Sequence, residues 1–136
     1  MAILEKIAVL DNLSELSDFI KINLKKLTNK FDVIHDLTLA SEEIIINIIH
    51  YAYLGKNGLI KVRVFCDRDN FIKIIIEDFG QEFNPLKSDL PTPVESVATQ
   101  KIGGLGIFLV RKSVDKIEYF RRKEKNILIL MKRKIS

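Results

Sequence analysis

The stretch that decides the fold is residues 59–78, LIKVRVFCDRDNFIKIIIED. In its first half, isoleucine and valine alternate with lysine and arginine, a period of two that is typical of a strand with one buried face. The second half is almost wholly apolar up to Asp78, and the polar triplet 68–70 between the halves has the composition of a turn. The pattern predicts an antiparallel hairpin with strands at 59–67 and 71–78.

Upstream of the hairpin, the sequence predicts one strand followed by two helices. Residues 3–10 are mostly apolar and indicate a strand. From residue 13 to 29, apolar positions recur at helical spacing with lysines on the other face, as in an amphipathic helix. A second helix, more apolar and therefore more buried, is predicted over residues 33–54, before the turn-forming glycines 55 and 58.

Downstream of the hairpin, residues 81–102 show no periodicity and contain all three prolines. A structureless stretch of this length in a small domain is usually functional, so we interpret it as a mobile lid. A short helix at 105–114 and two strands at 116–120 and 126–132 follow. The chain is thus predicted to be a single α+β domain over residues 1–136, a two-layer sandwich in which three helices cover a mixed, mostly antiparallel sheet.

Composition narrows the functional classes. The formal net charge of +4 is too mild to require a nucleic-acid partner, and the lone Cys66 cannot form an internal disulfide. The longest apolar runs fall far short of the roughly 20 residues that span a bilayer. We therefore expect a cytoplasmic protein that contacts neither membrane nor nucleic acid directly.

The second predicted helix carries polar residues among isoleucines. Glu43, Asn47 and His50 stand at i, i+4 and i+7 and so share one face. A solvated face is the simpler interpretation, but the polar stripe is narrow and a helical asparagine costs propensity. A polar site on this helix is the alternative.

Two glycine-containing segments are also candidates for a site. Asp78 ends a strand two residues before Gly80, which suits either an ordinary turn or a carboxylate that accepts a hydrogen bond from a ligand amine. Gly103, Gly104 and Gly106 open a helix, where free backbone N–H groups favour phosphate, although helix starts also collect glycine without any ligand. The cluster matches neither a Walker-type loop nor a dinucleotide fingerprint.

Together these segments resemble the N, G1 and G2 boxes of the GHKL ATPases, the group that includes gyrase, histidine kinases and the mismatch-repair ATPase. Within that group, the small size and the segments 83–85 and 104–110 most resemble the anti-sigma-factor serine/threonine kinases of bacterial partner-switching systems. The residues that carry the resemblance are Glu43, Asn47, Asp78, Gly80, Phe83, Asn84, Pro85, Gly103, Gly104, Gly106 and Ile107.

The resemblance implies a role for each matched residue, with ATP and Mg²⁺ bound. Glu43 would be the general base, and Asn47 would coordinate the Mg²⁺ that bridges the ATP phosphates. Asp78 would accept a hydrogen bond from the adenine amine, and Gly80 would let the backbone approach the base. The remaining residues expected to contact the nucleotide are Phe83, Lys101, Gly103, Gly104, Leu105 and Gly106.

Two positions depart from the family pattern. Glu82 stands where a glycine or proline is common before the G1-box phenylalanine, and it adds a negative charge near the nucleotide. Many relatives have a histidine four residues after the N-box asparagine, where this chain has Tyr51 and places His50 one residue earlier.

The resemblance implies an ATP-dependent kinase that phosphorylates a small anti-sigma-factor antagonist protein of the STAS type and can sequester a sigma factor, in the form of a homodimer. A non-catalytic module in which nucleotide controls partner affinity is the alternative. The catalytic half of a histidine kinase is a third interpretation, disfavoured because nothing before Ile3 could form a dimerisation element with a phosphoacceptor histidine.

Overall fold

The structure is a computed structural model that describes residues 1–54, 56–87 and 104–134. The strands are β1 (Ala2–Ile7), β2 (Leu59–Cys66), β3 (Phe71–Asp78), β4 (Lys116–Arg122) and β5 (Lys125–Arg133). The α-helices are α1 (Leu13–Leu27), α2 (Phe31–Asn47) and α3 (Gly104–Ser113). A 3₁₀ turn, Leu10–Asn12, precedes α1, and a π-helix, Ile48–Ala52, continues α2.

The five strands form one sheet in the order β1-β2-β3-β5-β4. All four pairings among the described strands are antiparallel, and the predicted hairpin is the β2–β3 pair, in which Val62 lies opposite Ile76. The predicted α+β sandwich is confirmed. The alternation of side chains along each strand turns one face of the sheet toward the helices.

The core lies between that face and the three helices. Helix α1 packs on β1 and β2, α2 packs on β3 and β5, and α3 packs on α2. The side chains most completely buried there come from both layers: Leu16, Ile20, Leu24, Leu37, Ile44, Ile45, Ile60, Ile72, Ile74, Ile76 and Leu130. Helix α2 is therefore central, which explains why it is more apolar than α1.

The second helix differs from its predicted extent of 33–54. The α-helical part ends at Asn47 and a π-helical turn follows, closed by a hydrogen bond from the Tyr53 N–H to the Ile48 carbonyl, five residues back. A π turn holds an extra residue, so the face after Asn47 is rotated relative to a continuous α-helix. As a result His50 is exposed while Asn47 is buried, and the predicted stripe of three polar residues is wrong beyond Asn47.

The first strand is shorter than predicted and ends at Ile7, because the Asn12 side chain folds back and donates a hydrogen bond to the Ile7 carbonyl. Of the predicted lid, residues 81–87 contain turns but no helix or strand, and residues 88–102 lie outside the described residues.

Within the described part of the chain, no helix combines the length and the apolar composition needed to cross a membrane.

The centre of the sheet should dominate stability. Ile74 is wholly buried on β3, so Ile74→Ala leaves a cavity, and we expect it to lower the free energy of unfolding by about 2–5 kcal/mol. Ile22→Ala is the matched control, because Ile22 lies on α1 with 55% of its surface exposed and should change stability by no more than about 0.5 kcal/mol. Urea denaturation of both variants measures this, and equal losses would contradict the assigned core.

Candidate functional site

Helix α2 places Glu43 and Asn47 one turn apart. Asn47 is buried, with 1% of its surface exposed, although it is a polar residue that follows three isoleucines at the end of α2. Its Nδ2 atom and Glu43 Oε2 are both buried without a hydrogen-bond partner among the described residues. Buried polar atoms are nearly always paired in folded proteins, so two unpaired atoms one turn apart make this part of α2 a candidate binding site.

The Glu43 carboxyl has a perturbed acidity. Burial raises the pKa of Glu43 above its ordinary value, and the adjacent negative charge of Glu42 raises it further. Glu42 itself is held in place by a 2.5 Å hydrogen bond from the Ser17 hydroxyl on α1. A carboxylate with a raised pKa is a better proton acceptor, as a general base requires.

Asp78 ends β3 on the helix-facing side of the sheet and is 2% exposed. Its Oδ1 atom accepts hydrogen bonds from the Gly80 N–H and from Asn126 Nδ2, each at 2.9 Å. Burial raises the pKa of Asp78, while these two hydrogen bonds and the charge of Arg121 oppose the rise. The carboxylate is therefore fixed through one oxygen.

Asn126 is a site residue that the sequence analysis missed. It is 4% exposed and lies directly opposite Asp78 in the β3–β5 register. Its amide nitrogen also donates to the Gln81 carbonyl at 2.8 Å. Its Oδ1 accepts from the Phe83 N–H, the Tyr119 hydroxyl and Arg121. No local motif marks Asn126, because only the strand register brings it to Asp78.

Gly80 has a packing role that the sequence did not predict. A Cβ atom at this position would lie 2.4 Å from the Ala52 carbonyl oxygen, which also accepts a hydrogen bond from the Gln81 N–H. No side chain fits at that distance. The turn after Asp78 is thus pressed against the end of the π-helix, which follows directly from Asn47.

Aromatic contacts complete this junction. The Phe83 and Tyr51 rings stack with centroids 5.2 Å apart, and Tyr51 is the residue that departs from the family pattern. The Tyr53 hydroxyl donates to the Leu59 carbonyl and accepts from the Phe79 N–H at 2.8 Å. The π-helix and Tyr53, the residue that follows it, therefore contact both ends of the Asp78 turn.

The structure brings together only part of the predicted site directly. Asp78 and Phe83 are hydrogen-bonded to Asn126, and Gly80 is joined to it through Arg121. The π-helix links this group to Asn47. Gly104, Leu105 and Gly106 form the first turn of α3, which packs on α2. Lys101 and Gly103 lie outside the described residues.

A groove of about 370 Å³ lies between α2 and α3, with Glu43 on its wall. It is also lined by Glu42, Leu39, Leu109 and Val110, whereas Asp78 does not line it. This groove therefore does not include the Asp78 turn.

Comparisons with known proteins agree with the fold. Residues 8–132 match the model of the histidine kinase-like ATPase domain. The serine-protein kinase RsbW of Staphylococcus aureus (strain bovine RF122 / ET3-1) is 28% identical over 116 residues, which are 78% of this chain and 69% of that protein. RsbW of Bacillus subtilis (strain 168) is 34% identical over 94 residues, 64% of this chain and 57% of that protein.

A solved structure supports the fold. The histidine kinase domain from the Erythrobacter litoralis EL346 blue-light activated histidine kinase superposes with a TM-score of 0.59 at 15% identity. The match covers 90% of this chain but less than two thirds, 61%, of that one. With a family model that matches nearly its whole length, this chain belongs to the family of histidine kinase-like ATPase domains.

Proposed function

We propose that this protein is an Mg²⁺- and ATP-dependent serine/threonine protein kinase that acts as an anti-sigma factor and phosphorylates a small antagonist protein of the STAS type. The observation that carries the proposal is the pair of buried, unpartnered polar atoms of Glu43 and Asn47 on α2, joined through the π-helix to the fixed carboxylate of Asp78. The curated relatives named serine-protein kinase RsbW support the reaction type.

The nucleotide base would bind at the Asp78 turn. Because Oδ1 of Asp78 already accepts two hydrogen bonds, Oδ2 is the atom that would accept from the adenine amine. Phe83, stacked on Tyr51, would offer an apolar surface to the base. The phosphates would lie at the start of α3, where Gly104, Leu105 and Gly106 offer backbone N–H groups. Gly103 and Lys101 remain predicted contacts of the phosphates, outside the described residues.

The residues present fit an Mg²⁺ ion held mainly through the nucleotide. The Asn47 side chain is buried, and its amide oxygen is a hard ligand that Mg²⁺ accepts, whereas its unpaired Nδ2 atom is a donor that suits a phosphate oxygen. Among the described residues no three His, Cys, Asp or Glu side chains gather as a metal cage, so the phosphates would supply most of the other ligands. When bound, the ion would neutralise charge on the phosphates.

Glu43 would act on the acceptor hydroxyl. The serine oxygen forms a bond to the γ-phosphorus while the bond from that phosphorus to the β–γ bridging oxygen breaks. The serine proton passes to the Glu43 carboxylate and ADP leaves. The raised pKa of Glu43 suits this transfer, since a general base works best when its pKa approaches the working pH.

The partners follow from the same proposal. An anti-sigma kinase would bind a sigma factor in one state and the antagonist in the other, as a homodimer in the cytoplasm. Purification of the tagged protein from its own host, followed by a phosphoserine assay on the small protein recovered with it, tests the assignment. Nucleotide-dependent capture of a partner that never gains phosphate would favour a non-catalytic binding module.

Asp78→Asn should weaken ATP binding by about 10- to 100-fold, because an amide N–H₂ then faces the adenine amine. The change is isosteric, and burial penalises the ionised carboxylate, so stability should not fall by more than about 1 kcal/mol. Calorimetric titration with ATP measures the affinity, with Glu118→Gln on β4 as the control. Unchanged affinity in Asp78→Asn would exclude this residue from the base site.

Asn47→Ala should remove the contribution of Mg²⁺ to binding. We expect the ATP affinity of the variant in Mg²⁺ to equal its affinity in EDTA, whereas the native protein binds more tightly in Mg²⁺. Since the Nδ2 atom of Asn47 has no partner among the described residues, the truncation should preserve the fold. A variant that still gained affinity on addition of Mg²⁺ would contradict the assignment.

Glu43→Gln should retain ATP binding and lower phosphoryl transfer by about 10²- to 10⁴-fold, the usual contribution of a general base. Glu42→Gln is the matched control, because its carboxyl is bound to Ser17 and should affect the rate less than about tenfold. Phosphate incorporation into the co-purified partner gives both rates, and a native rate in Glu43→Gln would eliminate its catalytic role.

A further inference from the structure

Glu43 also lines the groove between α2 and α3. Its rim carries two exposed apolar side chains, Leu39 at 48% and Leu109 at 62% of their surface. Its floor is formed by Ala40 and Val110, which are each 2% exposed. At about 370 Å³ it is large enough for one or two side chains and is at the lower end of the size of ligand pockets.

We propose that this groove binds an apolar side chain of the protein substrate, close in sequence to the serine or threonine that Glu43 deprotonates. The inference rests on the proposed function and adds a specificity site to it. Its basis is the position of Glu43, since the residue that would take the hydroxyl proton also lines the groove. The occupant is therefore a segment of the phosphoacceptor protein.

Helix geometry gives the position of that side chain. Leu39 precedes Glu43 by four residues, which is roughly 6 Å along the helix axis. An extended peptide advances about 3.3 Å per residue and places every second side chain on the same side. A substrate segment whose hydroxyl reaches Glu43 would thus place a side chain two residues away into the groove near Leu39.

The negative charge of the residues that line the groove disfavours acidic substrate side chains. Glu42 and Glu43 both line it, and the Ser17 hydroxyl keeps the Glu42 carboxylate in position. Arg111, on the helix opposite, donates to the Leu86 carbonyl, and that side chain does not line the groove. An acidic side chain at this position would face two like charges, so the site selects apolar substrates partly by repulsion.

The test uses a panel of serine peptides that carry Leu, Gly or Glu two residues before or after the serine. We expect kcat/KM for a Leu peptide to exceed that for the Gly peptide by roughly tenfold, the discrimination that a small apolar pocket achieves. We expect kcat/KM for the Glu peptide to be lower than that for the Gly peptide. The ratio between peptides cancels any change in catalytic rate.

Leu39→Gln and Leu109→Gln should bring the Leu-to-Gly ratio close to one. Gln preserves helix propensity, and both positions are exposed, so the variants should fold. Ile22→Gln, an exposed apolar position on α1 outside the groove, should leave the ratio unchanged. A ratio insensitive to both groove variants, an absence of preference for Leu, or no phosphorylation of any peptide would each overturn the inference.

ATP titration of the same preparations distinguishes a failure of the proposed function from a failure of the groove inference. If the protein does not bind ATP, the proposed function fails and the groove inference fails with it. If it binds ATP and phosphorylates all peptides equally, only the groove inference fails. Sedimentation of Leu109→Gln adds a further outcome, because a loss of self-association at a constant peptide ratio would assign the groove to a second copy of the chain and overturn the inference.

Discussion

The candidate nucleotide site depends on the hydrogen bond from Asn126 Nδ2 to Asp78 Oδ1. Asp78 is a buried carboxylate, and burial of a charge costs free energy unless partners compensate. Asn126 supplies one partner and at the same time holds the Gln81 carbonyl and the Phe83 N–H, so the strand end and the following turn keep one geometry. Removal of the amide would leave several buried groups unpaired, at about 1–3 kcal/mol each.

A second constraint is the contact between Gly80 and Ala52. The turn approaches the Ala52 carbonyl so closely that only glycine fits at position 80. The end of β3 is therefore packed directly against the π-helix. The π turn is what presents this carbonyl, and it also places Tyr51 against Phe83. The two halves of the proposed site, Asn47 on the helix and Asp78 on the sheet, are thus connected through backbone contacts.

Helix α2 serves two purposes that conflict. It must be apolar to fill the centre of the core, yet it carries Glu42, Glu43 and Asn47. The conflict is resolved by position, since Ile44 and Ile45 are buried while the two carboxylates border the groove beside α3. The energetic cost falls on Glu43 and Asn47, each of which has an unpaired buried atom, and burial also raises the pKa of Glu43.

The sequence by itself determined the sandwich, the hairpin and the identity of the polar residues on α2, because alternation and helical spacing are local properties of the chain. It also placed Asp78 at a strand end and Gly104 and Gly106 at a helix start. It did not reveal Asn126, because the partner of a buried carboxylate is chosen by strand register between segments nearly fifty residues apart. Nor did it reveal the π turn or the groove, since both arise from the packing of α2 against its neighbours. Asn126, the π turn and the groove were decided only by the tertiary structure, which also determines which polar side chains lie together.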